Sequence, residues 1–234
     1  MSLINPIAIL PVRGGSKEIK DKNLLEVNKK SLMEISVNQV RKSIDIPIYI
    51  SSDSETILKE GRKLGCIAVK RPLEIANDKS PSEEAIQHTV EYIEKEKKQN
   101  FNTIIFLQAT SPLRKREDFI SALDKYKSEQ LDSLFSANDA TDYLLWKQES
   151  GEMKSINFDN ENRLMRQEKV TSVIENGSFY IFDKELYKKY NQRLFGKISY
   201  YLMEAWQLFE VDTLDDYELC KKISKLMKVY GIYD

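Results

Sequence analysis

Short apolar runs alternate with amphipathic segments along the chain of 234 residues. The apolar runs are continuous and end in polar clusters, which is typical of strands buried on both faces of a parallel sheet. The strands predicted in this way are residues 6–12, 46–50, 66–69, 103–107, 133–136, 178–182, 200–203 and 208–212.

The segments between these runs carry apolar residues at helical spacing. The predicted helices are residues 31–43, 57–61, 82–98, 117–128 and 215–230. Strands and helices that alternate through short links indicate right-handed βαβ units. The predicted fold class is therefore α/β, with a mainly parallel sheet flanked by helices.

The alternation stops between residues 138 and 176. This stretch is polar, contains a single glycine, and includes short apolar pieces such as residues 143–146. We interpret it as an insertion, either a lid or an oligomerisation arm, within a single domain that spans residues 1–234.

Composition excludes several classes of protein. The 36 basic and 37 acidic side chains leave a net charge of −1, which argues against nucleic acid or a membrane surface as a partner. The sequence shows neither a cationic leader nor the roughly 20 consecutive apolar residues of a membrane helix, so we expect a cytoplasmic protein. One histidine, His88, and two distant cysteines exclude a multi-histidine metal site and disfavour structural zinc or a disulfide framework.

Polar clusters follow three of the predicted strands, at the edge where open parallel sheets bind ligands. They are residues 13–17, 51–54 and 108–111. In the first cluster, Gly14 and Gly15 allow backbone N–H groups to face an anion, and Arg13 and Lys22 add positive charge. A polyphosphate suits this pattern, but a plain strand-to-loop turn with solvated lysines suits it equally well. The spacing matches neither a Walker A loop nor GxGxxG.

Glu210 and Asp212 lie two positions apart in a predicted strand, so their side chains share one face. Paired carboxylates supply the hard oxygen ligands that Mg²⁺ prefers, with phosphate and water completing its shell. The alternative is that these acids, with Asp215 and Asp216, simply begin the following helix.

Several motifs, taken together and in this order, resemble those of the CMP-sialic acid synthetases (acylneuraminate cytidylyltransferases). They cover nearly the whole chain: residues 11–17 and 22–24, 51–54, 71–72 with Asp78 and Ser82, 108–114, 166–167, 175–180, and 211–213 with Asp216. The resemblance implies a Rossmann-like three-layer nucleotidyltransferase fold. It also implies a homodimer in which the segment 138–176 reaches the partner's site.

The activity that the resemblance implies is transfer of CMP from CTP to the anomeric hydroxyl of a nine-carbon sugar acid, such as N-acetylneuraminate, legionaminate or pseudaminate. By similarity, the triphosphate is held by Arg13, Gly14, Gly15, Ser16, Lys22 and Asn23. Arg71 and Ser82 contact the cytosine, and the sugar acid is bound by Gln108, Arg166, Gln167 and Tyr180. Asp212 binds Mg²⁺, with Glu210 as a second ligand; Arg13, Lys22 and Asp212 are the expected catalytic residues.

Two alternatives stay open at this point. One is a cytidylyltransferase for the eight-carbon sugar acid Kdo, and the other is a non-catalytic nucleotide-binding scaffold. The scaffold is suggested by departures from the family pattern, because Glu18 places an anion near the glycine loop and Glu210 stands where aspartate is common.

Overall fold

The computed structural model describes residues 4–15, 18–19, 22–165 and 171–231. Its strands are β1 (Pro6–Pro11), β2 (Glu26–Val27), β3 (Lys30–Ser31), β4 (Ile48–Ser52), β5 (Ile67–Lys70), β6 (Thr103–Leu107), β7 (Ser133–Asp139), β8 (Trp146–Glu149), β9 (Glu152–Ser155), β10 (Val173–Asp183) and β11 (Ile198–Met203). Its α-helices are α1 (Leu32–Ser43), α2 (Glu55–Lys63), α3 (Ser82–Tyr92), α4 (Arg116–Ser128), α5 (Lys184–Tyr190) and α6 (Leu214–Val229).

A seven-stranded sheet in the order β11-β7-β10-β6-β1-β4-β5 forms the centre of the molecule. Strands β6, β1, β4 and β5 are parallel to one another, and β11 is parallel to β7. Strand β10 runs antiparallel to both β6 and β7. The predicted mainly parallel sheet is confirmed, and a single reversed strand joins its two parallel parts.

Helices cover both faces of the sheet, which confirms the three layers. Alternate residues of β1 point to opposite faces: Ala8 and Leu10 pack in the core that includes α1 and α4, whereas Ile7 and Ile9 pack in the core that includes α3. All four of these side chains are fully buried. Burial on both faces explains why the run is apolar throughout instead of alternating with polar residues.

A third, smaller core joins α6 to the β2–β3 hairpin and the start of α1. It contains Val27, Leu32, Val211 and Cys220. Helix α6 begins with a capping box, in which Thr213 donates its backbone N–H to the Asp216 carboxylate at 2.8 Å and accepts the Asp216 N–H at 3.2 Å. The core and the cap together fix the position of the residues that immediately precede the helix.

The strand predicted at residues 208–212 is wrong. Residues Ala205–Leu208 form a 3₁₀ turn, and residues 209–211 have no regular structure. The buried Gln207 side chain donates to the Leu113 carbonyl at 3.0 Å and to the Asp118 carboxylate at 2.7 Å, which holds this segment as a turn. Val211 donates its N–H to the Thr110 carbonyl at 2.7 Å, and this bond brings the segment beside the end of β6.

Helix α3 and the segment 138–176 also differ in detail from the sequence patterns. The helix predicted to Lys98 is α-helical to Tyr92 and continues as a π-helical turn, Ile93–Lys97. Residues 138–176 include the end of β7, the β8–β9 hairpin and the start of β10. The side chains of Tyr143, Trp146 and Met153 in this segment are 61%, 40% and 58% exposed.

Among the described residues, no helix has the length and apolar character needed to cross a membrane.

A buried arginine ties the end of β6 to β10. Arg114 is 1% exposed, and its Nη2 donates to the backbone carbonyls of Gln108 at 2.5 Å and Ser178 at 2.7 Å. Its Nη1 donates to Ser36 Oγ at 3.2 Å and to Gln39 Oε1 at 3.1 Å, both on α1. Hydrogen bonds from a buried charged group are among the stronger ones in proteins, so Arg114 holds Gln108 in a defined place.

Candidate active site

A cavity of about 350 Å³ lies beyond the carboxyl ends of β1 and β6. The residues that line it come from distant parts of the chain: Pro11, Arg13, Lys22, Asn23, Arg71, Ala76, Asn77, Asp78, Ser80, Pro81, Ser82, Phe106, Leu107, Gln108, Ala109, Thr110, Glu210 and Asp212. This is the edge at which open α/β sheets bind their ligands. The cavity brings together most of the site residues predicted from the sequence.

The two cations expected to bind phosphate are both held by carboxylates. Arg13 Nη1 donates to Asp78 Oδ1 at 2.5 Å, and Lys22 Nζ donates to Asp212 Oδ1 at 2.8 Å. The Arg13 and Asp78 side chains are each 35% exposed, so their pair is accessible to solvent and to a ligand. Asn23 donates from its side chain to the Arg13 carbonyl at 3.3 Å, which places it under the same loop.

The first glycine of the pair is needed for space. A Cβ at Gly14 would lie 2.7 Å from the Cβ of Ser54, whereas a Cβ at Gly15 would meet nothing within 4 Å. Neither glycine has a positive φ, so the backbone conformation does not require glycine at either position. The Gly14 N–H donates to Asp53 Oδ1 at 2.9 Å. The anion at this N–H is therefore a carboxylate of the chain itself.

Gly14→Ala is expected to lower the melting temperature, because Ser54 Cβ is fixed to its backbone and the loop must shift to admit the methyl group. Overpacking of this kind costs about 1–3 kcal/mol, which in a chain of this size lowers Tm by about 2–12 °C. Thermal unfolding followed by circular dichroism measures the change. Gly15→Ala is the matched control and should leave Tm nearly unchanged; equal losses in the two variants would contradict the steric explanation.

Arg71 and Ser82, predicted to contact the base, lie on one side of the cavity. Arg71 is 7% exposed, and burial lowers the pKa of its guanidinium, an effect that Asp53 opposes and Arg13 reinforces. Its Nη2 makes a long hydrogen bond of 3.4 Å to the Ser51 carbonyl, and its buried Nε has no hydrogen-bond partner among the described residues. Ser82 is the first residue of α3. Arg71 thus presents buried donor capacity beside a polar cavity.

Glu210 and Asp212 face the same cavity although they are not in a strand. Burial raises the pKa of the Glu210 carboxyl, and the negative charge of Asp212 raises it further, while Lys22 acts in the opposite direction. Asp212 is more accessible, with a side chain 56% exposed. The described residues contain no cluster of three or more acidic, histidine or cysteine side chains able to hold a metal ion. Three carboxylates of the described chain line the cavity: Asp78, which is paired with Arg13, and Glu210 and Asp212.

The residues predicted to face the sugar acid are only partly brought together. Gln108 lines the cavity and donates from Nε2 to the Gly177 carbonyl at 2.7 Å. Tyr180 is 3% exposed, and its hydroxyl donates to the Glu175 carboxylate instead of lining the cavity. Burial, reinforced by Glu175, raises the pKa of the Tyr180 hydroxyl. Ser16, Arg166 and Gln167 lie outside the described residues.

The sequence did not reveal which residues hold these groups in place. Asp53 was part of a recognised polar cluster, but its bond to Gly14 depends on the pairing of β1 with β4. Arg193 carried no signal at all. Its guanidinium lies 4.6 Å from the centre of the Tyr180 ring, and its Nε donates to the Glu83 carboxylate at 2.8 Å. Arg193 thus links β10 to the first turn of α3.

Known proteins resemble this chain over nearly its whole length. A family model described as "Cytidylyltransferase" matches residues 7–233. The "post-translational flagellin modification protein B" of Campylobacter coli is 30% identical over 219 residues, covering 91% of this chain and 92% of that protein. The "pseudaminic acid cytidylyltransferase" of Campylobacter jejuni strain 81-176 is 26% identical over 227 residues, covering 94% and 96%.

An "N-acylneuraminate cytidylyltransferase" of Streptococcus agalactiae serotype V is 27% identical over 219 residues. The match covers 92% of this chain and 52% of that protein, so the chain corresponds to about half of this longer relative. Among solved structures, a CMP:2-keto-3-deoxy-manno-octonic acid synthetase complexed with CTP superposes with a TM-score of 0.67, at 14% identity and 96% coverage of this chain and 99% of that one. At that identity, the likeness concerns the fold.

Proposed function

Because this chain belongs to the cytidylyltransferase family, we propose that it transfers CMP from CTP to the anomeric hydroxyl of a sialic-acid-like sugar acid. The observation that carries this proposal is the cavity at the carboxyl ends of β1 and β6. It combines Arg13, Lys22 and Arg71 with the carboxylates of Glu210 and Asp212. Two relatives whose names give their substrates act on N-acylneuraminate and pseudaminic acid, which points to the same class of sugar acid.

In the proposed reaction, the anomeric oxygen of the sugar acid bonds to the α-phosphorus of CTP. The bond from that phosphorus to the oxygen bridging the α- and β-phosphates breaks, pyrophosphate leaves, and the hydroxyl proton is released. Phosphoryl-type transfer depends mainly on positioning and on neutralising charge. A site that supplies cations without a histidine base is consistent with this requirement.

We infer that the triphosphate replaces the carboxylates that now hold the cations. Arg13 is paired with Asp78, Lys22 with Asp212, and the Gly14 N–H with Asp53. Each of these donors is thus already oriented toward an oxygen atom that carries negative charge. Binding of CTP would exchange side-chain carboxylates for phosphate oxygens, and Lys22 would leave Asp212 free to act as a ligand.

The base is proposed to lie against Arg71 and Ser82. Cytosine carries a carbonyl oxygen and a ring nitrogen that accept hydrogen bonds, and the guanidinium of Arg71 has a buried Nε without a partner among the described residues. Ser82 adds a hydroxyl at the start of α3. A hydrogen bond from this buried Nε to a ligand would favour binding, because a buried donor without a partner costs free energy.

Asp212 and Glu210 fit a magnesium ion, since both are carboxylates and Mg²⁺ binds through one or two carboxylates together with substrate phosphates. Burial is the main cause of the raised pKa of Glu210 and the negative charge of Asp212 adds to it, so a cation bound between them would offset the repulsion of the two carboxylates. The ion would stabilise the charge that develops on the transferred phosphate. Asp212 and Glu210 would hold it, and Lys22 would remain on the triphosphate.

The sugar acid is proposed to lie near Gln108, with Arg166 and Gln167 contributing from the segment beyond residue 165. Tyr180 would support this side of the site indirectly, through its hydrogen bond to Glu175. Gly177 is the critical backbone position. It has a φ of +68°, and a Cβ there would lie 2.5 Å from Gln108 Nε2.

Gly177→Ala is therefore expected to raise KM for the sugar acid about fivefold to tenfold, by displacing the Gln108 amide and its hydrogen bond. Steady-state kinetics with varied sugar acid measures the change. Gly231→Ala is the control, because Gly231 also has a positive φ, of +67°, no atom lies within 4 Å of the added Cβ, and the residue is outside the cavity that Gln108 lines. An equal rise in KM in the Gly231 variant would contradict the explanation through Gln108.

We also propose that the chain acts as a homodimer through the segment 138–176. The apolar side chains of Tyr143, Leu145 and Met153 are 61%, 50% and 58% exposed there, and an interface would bury them. Sedimentation equilibrium tests this proposal. A monomer at micromolar concentration would contradict it.

The proposed reaction is tested by incubating the protein with CTP, Mg²⁺ and one acid at a time: N-acetylneuraminate, legionaminate, pseudaminate or Kdo. Pyrophosphate release with at least one of the first three, and identification of the CMP-sugar by mass spectrometry, is the expected result. Release with Kdo alone would overturn the assigned class of sugar acid. Release with none of the four would contradict the proposal as a whole.

A further inference from the structure

A second and larger cavity, of about 630 Å³, lies on another part of the molecule. It is formed by the β2–β3 hairpin, α1, the start of α4 and the end of α6. The described residues that line it share no member with the cavity that contains Arg13 and Asp212. It is therefore a separate feature that the proposed reaction does not use.

Positive charge is concentrated around this second cavity. Among the described residues that line it, six are cations and one, Glu117, is an acid; the cations are Lys30, Lys42, Arg114, Lys115, Arg116 and Lys228. Lys115 is balanced by an ion pair of 3.0 Å with Glu204. This excess of cations contrasts with the net charge of −1 of the whole chain.

The cations come from elements that are far apart in sequence. Lys30 is on β3, Lys42 near the end of α1, Arg116 at the start of α4, and Lys228 in the last turn of α6. Like charges that the fold brings together repel one another, and a cleft lined by one sign of charge attracts counter-ions. A multiply charged anion would relieve this repulsion.

The floor of the cavity is polar and held in place. Gln39 donates from Nε2 to the carbonyls of Pro112 at 2.6 Å and Arg114 at 3.1 Å, and it accepts from the buried Arg114 guanidinium. Asn38 adds a neutral amide, and Val27 and Ile35 add apolar surface. Fixed polar groups combined with apolar surface are typical of pockets for small molecules.

We propose that this cavity binds a small phosphorylated ligand that carries at least two negative charges. Its concave shape favours a small molecule over nucleic acid, whose electrostatic footprint is an extended basic stripe or patch. Phosphate oxygens match the charge and hydrogen-bonding capacity of lysine and arginine. The site is additional to the one proposed for CTP.

The proposal is tested by isothermal titration calorimetry of the protein with inorganic tripolyphosphate. The wild-type protein is expected to bind two equivalents, one in each cavity, and Lys30→Glu/Lys228→Glu to bind one. Lys59→Glu/Lys225→Glu changes the net charge equally at exposed lysines outside both cavities, and it should still bind two. The same number of equivalents for the wild-type protein and for Lys30→Glu/Lys228→Glu, or the same loss in both double variants, would overturn the proposal.

A second measurement uses the unmodified protein, so it does not depend on the variants folding. Lysine acylation by an amine-reactive ester, read out by mass spectrometry, should slow at least threefold at Lys30 and Lys228 when tripolyphosphate is added. Lys225 and Lys59 should react at unchanged rates, and Lys22 reports separately on the first cavity. Unchanged reactivity at Lys30 and Lys228 would refute the site.

Discussion

Asp212→Asn should lower the rate of Mg²⁺-dependent pyrophosphate release by about 100-fold to 1,000-fold, a typical cost of removing one group that stabilises transition-state charge. The substitution removes the negative charge of a carboxylate that we propose as a metal ligand and that makes an ion pair of 2.8 Å with Lys22. The fold should be unaffected. The start of α6 is capped by Thr213 and Asp216, and the Asp212 side chain is 56% exposed.

Asp215→Asn is the matched control for this experiment. Asp215 is an exposed acid in the first turn of α6, so the charge change and the position in the chain are nearly the same. This variant should retain wild-type turnover, and both variants should keep the wild-type melting temperature. Near-normal turnover in Asp212→Asn would remove the basis for the metal assignment, whatever the control shows.

Arg13→Ala should raise KM for CTP by about 10-fold to 100-fold, because a hydrogen bond to a charged group contributes about 1.5–3 kcal/mol. Arg13 lines the cavity and is held by Asp78 at 2.5 Å, in the position that we assign to a phosphate oxygen. Initial rates measured over a range of CTP concentrations, at saturating sugar acid, give the change. The free energy of unfolding should change little, since the pair is partly exposed and such pairs contribute about 0–1 kcal/mol.

Asp78→Asn distinguishes this explanation from a simple loss of structure in the loop. If Asp78 occupies the place of a phosphate, its neutralisation removes a competitor, and KM for CTP should stay constant or fall. The two partners of one ion pair are thus expected to have opposite effects. A rise in KM of similar size in both variants would mean that the pair itself, and not Arg13 alone, is needed for CTP binding.

Much of the fold could be predicted because its signals are local. Residues 103–107 form a strand with the predicted bounds, since five successive apolar or β-branched side chains have few alternatives in a buried sheet. Helix α1 was predicted within one residue, and Ser31 caps it by accepting the Glu34 N–H at 3.1 Å. The failure at residues 208–212 has a tertiary cause. The apolar run there predicts a strand, but Gln207 is bound to Leu113 and Asp118, about 90 positions away.

The candidate site could be predicted as a set of residues but not as a set of contacts. Polar clusters after strands place Arg13, Asp53 and Gln108 at one edge of the sheet, whatever the details of the loops. The sequence motif did not determine which way the buried Tyr180 side chain points. Tyr180 is part of a motif expected to contact the sugar, yet its hydroxyl bonds to Glu175, five residues earlier in the same strand.

The sequence by itself determined the alternation of strands and helices and the residue types that follow the strands. It also indicated the edge at which open α/β sheets bind ligands. These features follow from side-chain periodicity over short stretches of chain. Only the tertiary structure decided that β10 runs antiparallel, that Arg13 meets Asp78 and Lys22 meets Asp212, and that lysines from three elements surround a second cavity. The two ion pairs join residues 65 and 190 positions apart. Contacts over such separations depend on the order of strands in the sheet and on how the helices pack against it, and no local pattern encodes either.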